Sequence, residues 1–159
     1  MSIHTDSLAP PMTGAVTGAL RTTLRLEGLC VLLVATACYA RYGQGWGWFA
    51  TLFLVPDLAF LGYLAGARVG AIAYNLSHAY IGALACLLAG VLLPHPLWLA
   101  AGLIWAAHIG FDRALGYGLK YAQGFGFTHL GLIGKQTRGT AGTAGTAAAP
   151  QAPSATAQR

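Results

Sequence analysis

The sequence predicts an all-α integral membrane protein, a bundle of four transmembrane helices. Hydrophobic residues make up 56% of the chain and charged residues only 8%, whereas charged residues form about a quarter of a soluble domain. The apolar residues fall in runs long enough to cross roughly 30 Å of hydrocarbon as helices. The net charge of +5 comes from basic residues scattered between these runs. Since nucleic-acid binding needs a basic patch, we expect a lipid bilayer and no nucleic acid as partner.

The predicted elements follow from where the apolar runs begin and end. Residues 1–23 contain no short apolar core before a cleavage site, so they are predicted to be a flexible N-terminal extension and not a signal peptide. The transmembrane domain covers residues 24–134, with predicted spans at residues 24–40, 46–64, 70–93 and 97–115. Aromatic residues such as Trp46, Trp48 and Trp98 stand near span ends, as is typical of membrane interfaces.

Two segments of different composition follow the spans. Residues 116–134 mix glycine and aromatic residues with Lys120 and His129, which favours a short segment lying at the level of the lipid headgroups. Residues 135–159 consist mostly of Gly, Ala, Thr, Pro, Gln and Ser. Such a composition cannot bury a core, so we expect a disordered tail.

The distribution of basic residues predicts the orientation. With four spans, the side that holds both termini has or adjoins all but one of the Lys and Arg residues, namely Arg21, Arg25, Arg68, Arg113, Lys120, Lys135, Arg138 and Arg159. Only Arg41 belongs to the other side. Because basic residues stay on the cytoplasmic side, the sequence predicts both termini in the cytoplasm, and for a bacterial protein the inner membrane.

Ionisable residues inside the predicted spans are the main functional signal. Such groups cost several kcal/mol each in hydrocarbon unless they are paired, protonated or bound to an ion. The helical rise puts Asp57, His78 and His108 at one depth, roughly 12 to 14 Å from the cytoplasmic end of their spans. The same estimate puts a second group at roughly 5 to 9 Å, consisting of Asn75, Asp112 and Glu27.

Spacing along the helices brings these residues into pairs. His108 and Asp112 are four residues apart and Asn75 and His78 three apart, so each pair shares a helix face. Imidazole and carboxylate together suit zinc, iron or manganese. We therefore predict a site for a divalent metal such as zinc, whose ligands are Asp57, His78, His108 and Asp112.

Two other interpretations fit the same residues. One is a buried hydrogen-bonded network with Arg25, Arg68 and Arg113 that only fixes helix packing, as in a non-catalytic membrane subunit. The other is a proton or ion relay, for which intramembrane carboxylates and histidines are equally suited. Separately, Gly62, Gly66 and Gly70 lie four residues apart and permit close helix packing, within the chain or in a homo-oligomer or membrane complex.

Several runs of residues resemble a known family. They are Leu26 to Gly28, Pro56 to Leu58, Tyr74 to His78, Ala107 to Tyr121 and Thr128 to Gly131. Together they resemble the bacterial membrane family catalogued as domain of unknown function 4260, over roughly residues 24–134. This resemblance implies the membrane topology and no particular activity.

A weaker similarity is to the membrane-bound metal-dependent hydrolases. Their pattern has a Pro-Asp near a helix centre, a later His-rich helix, and a His followed four residues later by Asp. Asp57, His78, His108 and Asp112 stand where these features fall. The chain departs from the pattern in two places: Ala59 stands where the pattern has a second Asp, and there is no His-Arg pair near His78. If the chain is an enzyme, hydrolysis of a lipid or other membrane-associated ester is the expected class. From charge and position alone, Glu27 is then expected as general base, and Lys120 or Arg113 as the residue that neutralises an anionic headgroup.

Overall fold

The structure, a computed structural model, describes residues 15–93 and 95–133. The helices are α1 (Gly18–Tyr42), α2 (Trp46–Phe53), a 3₁₀ helix (Val55–Ala65), α3 (Ala67–His78), α4 (Tyr80–Leu92) and α5 (Pro96–Leu115). A hairpin of two short strands follows, β1 (Phe127–Thr128) and β2 (Gly131–Leu132). The predicted disordered tail, and most of the predicted N-terminal extension, lie outside the described residues.

The described helices form four passes, and three of these are long and apolar enough to cross a membrane. They are Gly18–Tyr42, Trp46–Ala65 and Ala67–Leu92. That the fourth pass, α5, also spans the membrane stays a prediction; its last turns carry His108, Asp112 and Arg113. This helix is the centre of the bundle: it has the most buried residues and packs against α1 and α4.

Small residues allow α5 to approach its neighbours closely. A Cβ atom added at Gly110 would lie 2.7 Å from the carbonyl oxygen of Gly28 on α1. The buried core around this crossing includes Ala35, Ala83 and Ala107. Gly62 and Gly70 have a similar use between the 3₁₀ helix and α3, since a Cβ at Gly62 would lie 3.3 Å from the Cα of Gly70. These two glycines thus serve packing within the chain.

Large apolar side chains point away from this core of small residues. Leu33 is 59% exposed, Leu64 88% and Ile81 80%, one on each of the three long apolar passes. A water-soluble protein has the opposite distribution, with large apolar residues inside and few large apolar patches outside.

Both ends of the described chain lie at the same end of the bundle. The Arg25 guanidinium donates from Nε to the carbonyl oxygen of Ala114 over 2.8 Å, so the start of α1 adjoins the end of α5. The backbone N–H of Val16 donates to the carbonyl oxygen of His129 over 2.8 Å. An even number of passes accounts for this arrangement.

Two passes are interrupted halfway. The second changes from α-helix to 3₁₀ helix at Val55–Pro56, because proline has no N–H to donate to the preceding turn. The third breaks at Ala79, whose extended backbone (φ −88°, ψ 142°) separates α3 from α4. Interrupted helices of this kind often mark functional sites in membrane proteins.

Candidate metal centre

Three elements bring four ligand-type side chains to one point. Asp57 lies in the first turn of the 3₁₀ helix, just after one helix interruption, and His78 is the last residue of α3, just before the other. His108 and Asp112 lie one turn apart on α5. One ligand atom from each of the four residues lies within 4.8 Å of the other three. We call these four residues the His/Asp cluster.

Four of the six distances between the ligand atoms are close to those of a tetrahedral metal site. The Nε2 atom of His78 lies 3.0 Å from Nε2 of His108, 3.5 Å from Oδ1 of Asp57 and 3.4 Å from Oδ2 of Asp112. Nε2 of His108 lies 3.6 Å from Oδ1 of Asp57. Ligands about 2.0 Å from a zinc ion at the centre of a tetrahedron are about 3.3 Å apart, close to these distances.

Hydrogen bonds fix the orientation of the His78 ring. Its Nδ1 atom lies 3.0 Å from the carbonyl oxygen of Tyr74 and 2.8 Å from Oγ of Ser77. Because a carbonyl only accepts, the proton belongs on Nδ1 and the lone pair of Nε2 faces the cluster. The Tyr74 ring also stacks on the imidazole, with centroids 3.7 Å apart and an interplanar angle of 12°. Metal-bound histidines commonly have such support for the second ring nitrogen.

His108 is buried and supported mainly by an aromatic ring. Its imidazole packs edge-on against Phe53, with ring centroids 5.1 Å apart. Its Nδ1 atom is buried and has no hydrogen-bond partner among the described residues. The remaining interactions of His108 are therefore those of Nε2 with the cluster.

Tyr74 also orients Asp112. Its hydroxyl donates to Oδ2 of Asp112 over 2.8 Å, and this oxygen faces His78. Tyr74 is only 1% exposed, so this contact is shielded from water. Tyr74 thus supports two members of the His/Asp cluster. The sequence could have indicated this role of Tyr74, because Tyr74 stands four residues before His78 and therefore on the same helix face.

Side chains from α5 stabilise the interruption beside His78. The break at Ala79 leaves carbonyl groups at the end of α3 without their usual helical partners. Trp105 donates from Nε1 to the carbonyl oxygen of Ser77 over 2.6 Å, and Arg113 donates from Nη2 to that of His78 over 3.1 Å. Arg113 also donates to the carbonyl oxygen of Tyr117 over 2.8 Å. These bonds keep His78 at a fixed place despite the broken helix.

A cavity of about 390 Å³ adjoins the cluster. Asp57 and Asp112 line it, together with Lys120, Tyr117 and three phenylalanines, Phe60, Phe111 and Phe125. The Asp57 side chain is 39% exposed, whereas both histidines are buried. Asp57 is therefore the member of the cluster most open to the cavity.

The segment after α5 forms part of the cavity wall and is tied to α3. Asn75 donates from Nδ2 to the carbonyl oxygen of Lys120 over 2.9 Å, and its Oδ1 accepts the Lys120 N–H over 2.7 Å. His129 accepts the backbone N–H of Leu119 at Nδ1 over 2.8 Å, and burial lowers the pKa of His129. The sequence predicted four polar residues in support of the site, namely Asn75, Arg113, Lys120 and His129. Asn75 and His129 position the chain around Lys120.

The Lys120 side chain is only 4% exposed. Its ammonium donates to the carbonyl oxygen of Phe125 over 3.0 Å and lies 3.9 Å from the centroid of the Phe125 ring and 5.0 Å from that of Tyr74. Burial lowers the pKa of Lys120 to about 8, an effect that the negative charge of Asp112 partly opposes.

The remaining predicted residues lie elsewhere or act differently. Glu27 is exposed on α1, outside both the His/Asp cluster and the cavity lining. Asp112, which was predicted both in the shallower layer and as a metal ligand, lies in the cluster with the three deeper residues, because one helical turn separates it from His108. Among the described residues, the ion-pair partners of the two cluster aspartates are histidines and not arginines.

Comparison with known proteins gives a family and no characterised relative. No curated protein and no solved structure matches the chain significantly. A family model described as "Domain of unknown function (DUF4260)" matches residues 21–133. The match includes the four helical passes except for the first three residues of α1, and the whole His/Asp cluster. The chain belongs to this family, domain of unknown function 4260.

Proposed function

We propose that the protein is an integral membrane protein that binds a divalent metal at Asp57, His78, His108 and Asp112. The observation that carries the proposal is the convergence of these ligand atoms, all within 4.8 Å of one another. Oxygen and nitrogen lone pairs at such distances repel one another unless a cation or shared protons lie between them. Two imidazoles and two carboxylates suit zinc, and also iron or manganese.

Membrane insertion is supported by the three long apolar passes and their exposed leucine and isoleucine side chains. The orientation with both termini in the cytoplasm rests on charge. Arg25 and Lys120 lie at the bundle end that holds both ends of the described chain, whereas Arg41 lies in the last turn of α1 at the opposite end. By the positive-inside rule the first of these ends faces the cytoplasm, at the inner membrane of a bacterium.

The reaction that fits best is hydrolysis of a membrane-associated ester. A metal held by these four residues would lower the pKa of a water bound to it and so would supply a nucleophile near neutral pH. The adjoining cavity gives a substrate access to Asp57 and Asp112.

A non-catalytic function is the second candidate, favoured by one observation. The 3.0 Å distance between the two Nε2 atoms is also that of a hydrogen bond between the imidazoles. In that case the cluster is a structural core or a proton relay that holds no metal. Metal content separates these functions directly.

The test is elemental analysis of the detergent-purified protein in chelator-free buffers. We expect near-stoichiometric metal in the wild type and none in the double variant His108→Ala/Asp112→Ala. His95→Ala is the matched control, since His95 is exposed at the opposite end of α5 and outside the cluster. Removal of the metal by a chelator and its return by dialysis check the site without a substitution. A wild type that takes up no metal would rule out the proposal.

A further inference from the structure

Lys120 carries a buried positive charge whose role the metal centre does not explain. Burying an ammonium is costly unless the group is paired. One of its three protons is used by the carbonyl oxygen of Phe125, and two aromatic rings contact the charge. No carboxylate of the described residues forms an ion pair with it. Its ammonium therefore has donors available on the side of the cavity that it lines.

The sign of the charge in the cavity depends on the metal. Without a metal, one ammonium stands beside two carboxylates, Asp57 and Asp112, and the cavity is negative overall. A divalent cation on the cluster compensates both carboxylates, so that the charge of Lys120 leaves the cavity positive. An anion is then attracted by two centres, the metal and the ammonium.

We propose that Lys120 is the anion-binding residue of this cavity, and that the group it binds is the phosphate of a phosphate monoester. The inference rests on the proposed metal centre and names its substrate class. Near neutral pH a phosphate monoester carries nearly two negative charges, a phosphodiester one and a carboxylic ester none, so the monoester is the ester most strongly attracted by the metal and the ammonium. A phosphate group also offers several oxygens, so it can contact the metal and Lys120 together.

Hydrolysis of such a substrate is balanced without any further reactant. The oxygen of a water molecule forms a bond to phosphorus, and the bond from phosphorus to the ester oxygen breaks. The water proton ends on the leaving alcohol, and inorganic phosphate remains. Lys120 holds the phosphate through this exchange, and the inorganic phosphate then leaves as the product.

The test measures phosphate affinity and metal content on the same purified protein. The variant is Lys120→Gln, and the control is Arg41→Gln, which removes the same charge from the opposite end of the bundle. Lys120→Arg restores the charge. We expect Lys120→Gln to keep its metal and to bind inorganic phosphate at least about tenfold more weakly, the effect of losing one charge-assisted hydrogen bond. Arg41→Gln and Lys120→Arg stay within a few-fold of the wild type.

Short-chain lipids distinguish the two sources of phosphate. If dioctanoyl phosphatidate binds more tightly than inorganic phosphate, and dioctanoylglycerol does not bind, the ligand is a lipid headgroup. Equal affinity for phosphatidate and phosphate assigns the site to phosphate from the cytoplasm. Both results support the inference, provided that the Lys120→Gln variant binds the ligand more weakly than the wild type does.

Two results contradict the inference in different ways. Equal phosphate affinity of wild type and Lys120→Gln, with metal present in both, overturns the role of Lys120 and leaves the metal centre standing. Absence of metal from the wild type overturns the proposed metal centre and this inference with it.

Discussion

The Nε2 atoms of His78 and His108 lie 3.0 Å apart, although the two residues belong to different helices and are 30 positions apart in sequence. His78 is held from behind by the carbonyl oxygen of Tyr74 and the hydroxyl of Ser77. His108 has no hydrogen-bond partner for its other ring nitrogen among the described residues. The Nε2 atoms of both imidazoles thus face one point, close to the carboxylates of Asp57 and Asp112. The two rings differ in their Nδ1 atoms, because only that of His78 has hydrogen-bond partners among the described residues.

The hydroxyl of Tyr74 is expected to tune metal affinity. Tyr74→Phe removes the hydrogen bond to Asp112 but keeps a ring to stack on His78. Loss of such support weakens metal binding about 10- to 100-fold, which competition with a chromophoric chelator measures. Tyr63→Phe is the control, because the Tyr63 hydroxyl is buried without a partner among the described residues. Equal losses in both variants would show that Tyr74 does not act on the metal.

Trp105 is expected to stabilise the helix interruption at Ala79. Trp105→Phe leaves the carbonyl oxygen of Ser77 without its indole donor, which costs about 1–3 kcal/mol of unfolding free energy. Trp98→Phe makes the same change at an exposed tryptophan near the start of α5, where we expect a smaller loss. Chemical unfolding in detergent compares the two. A larger loss for Trp98→Phe would contradict the role given to Trp105.

The crossing of α1 and α5 is expected to tolerate no side chain at Gly110. A Cβ there would lie 2.7 Å from the backbone of both Gly28 and Leu32, so Gly110→Ala forces the helices apart and costs about 1–3 kcal/mol. A Cβ at Gly47 meets nothing within 4 Å, and Gly47→Ala in α2 is expected to be neutral or slightly stabilising. Unfolding midpoints of the two variants should move in opposite directions or differ clearly; equal midpoints would contradict this packing.

The buried Lys120 ammonium predicts a pH dependence of stability in the metal-free protein. Its pKa is about 8 in the folded state and about 10.4 when unfolded, so the unfolded chain binds more protons between these values. The cost of burying the charge is full below about pH 8 and disappears as pH rises towards about 10.4. Wild type should therefore gain stability relative to Lys120→Gln over this range. If the difference in unfolding free energy between wild type and Lys120→Gln stays constant over this pH range, the prediction is wrong.

The convergence of the four His and Asp residues could be predicted from the sequence because it depends on helical spacing. Residues four apart share a face, so His108 and Asp112 had to point together. The helical rise per residue predicted a common depth for Asp57, His78 and His108, and the structure places these three residues in one cluster. Domain of unknown function 4260 was likewise recognisable from its motifs, and the family match covers residues 21–133.

The interruption beside His78 could not be predicted. No proline or glycine lies between Asn75 and Ile81, and the local sequence reads as continuous helix. The break is stabilised by bonds from Trp105 and Arg113, which are distant in sequence. Arg113, expected to neutralise a headgroup or to join a network of buried polar groups, donates hydrogen bonds to the backbone carbonyl oxygens of Tyr117 and His78. Tertiary contacts of this kind leave no local pattern.

X-ray absorption at the metal edge of the purified protein tests the central claim most directly. The account predicts two imidazole nitrogens and carboxylate oxygens at about 2.0–2.2 Å from one metal, with this spectrum lost in His78→Ala. Sulfur ligands at about 2.3 Å would instead place the metal on cysteines, away from the His/Asp cluster. That result, or a protein that retains no metal at all, would contradict the account.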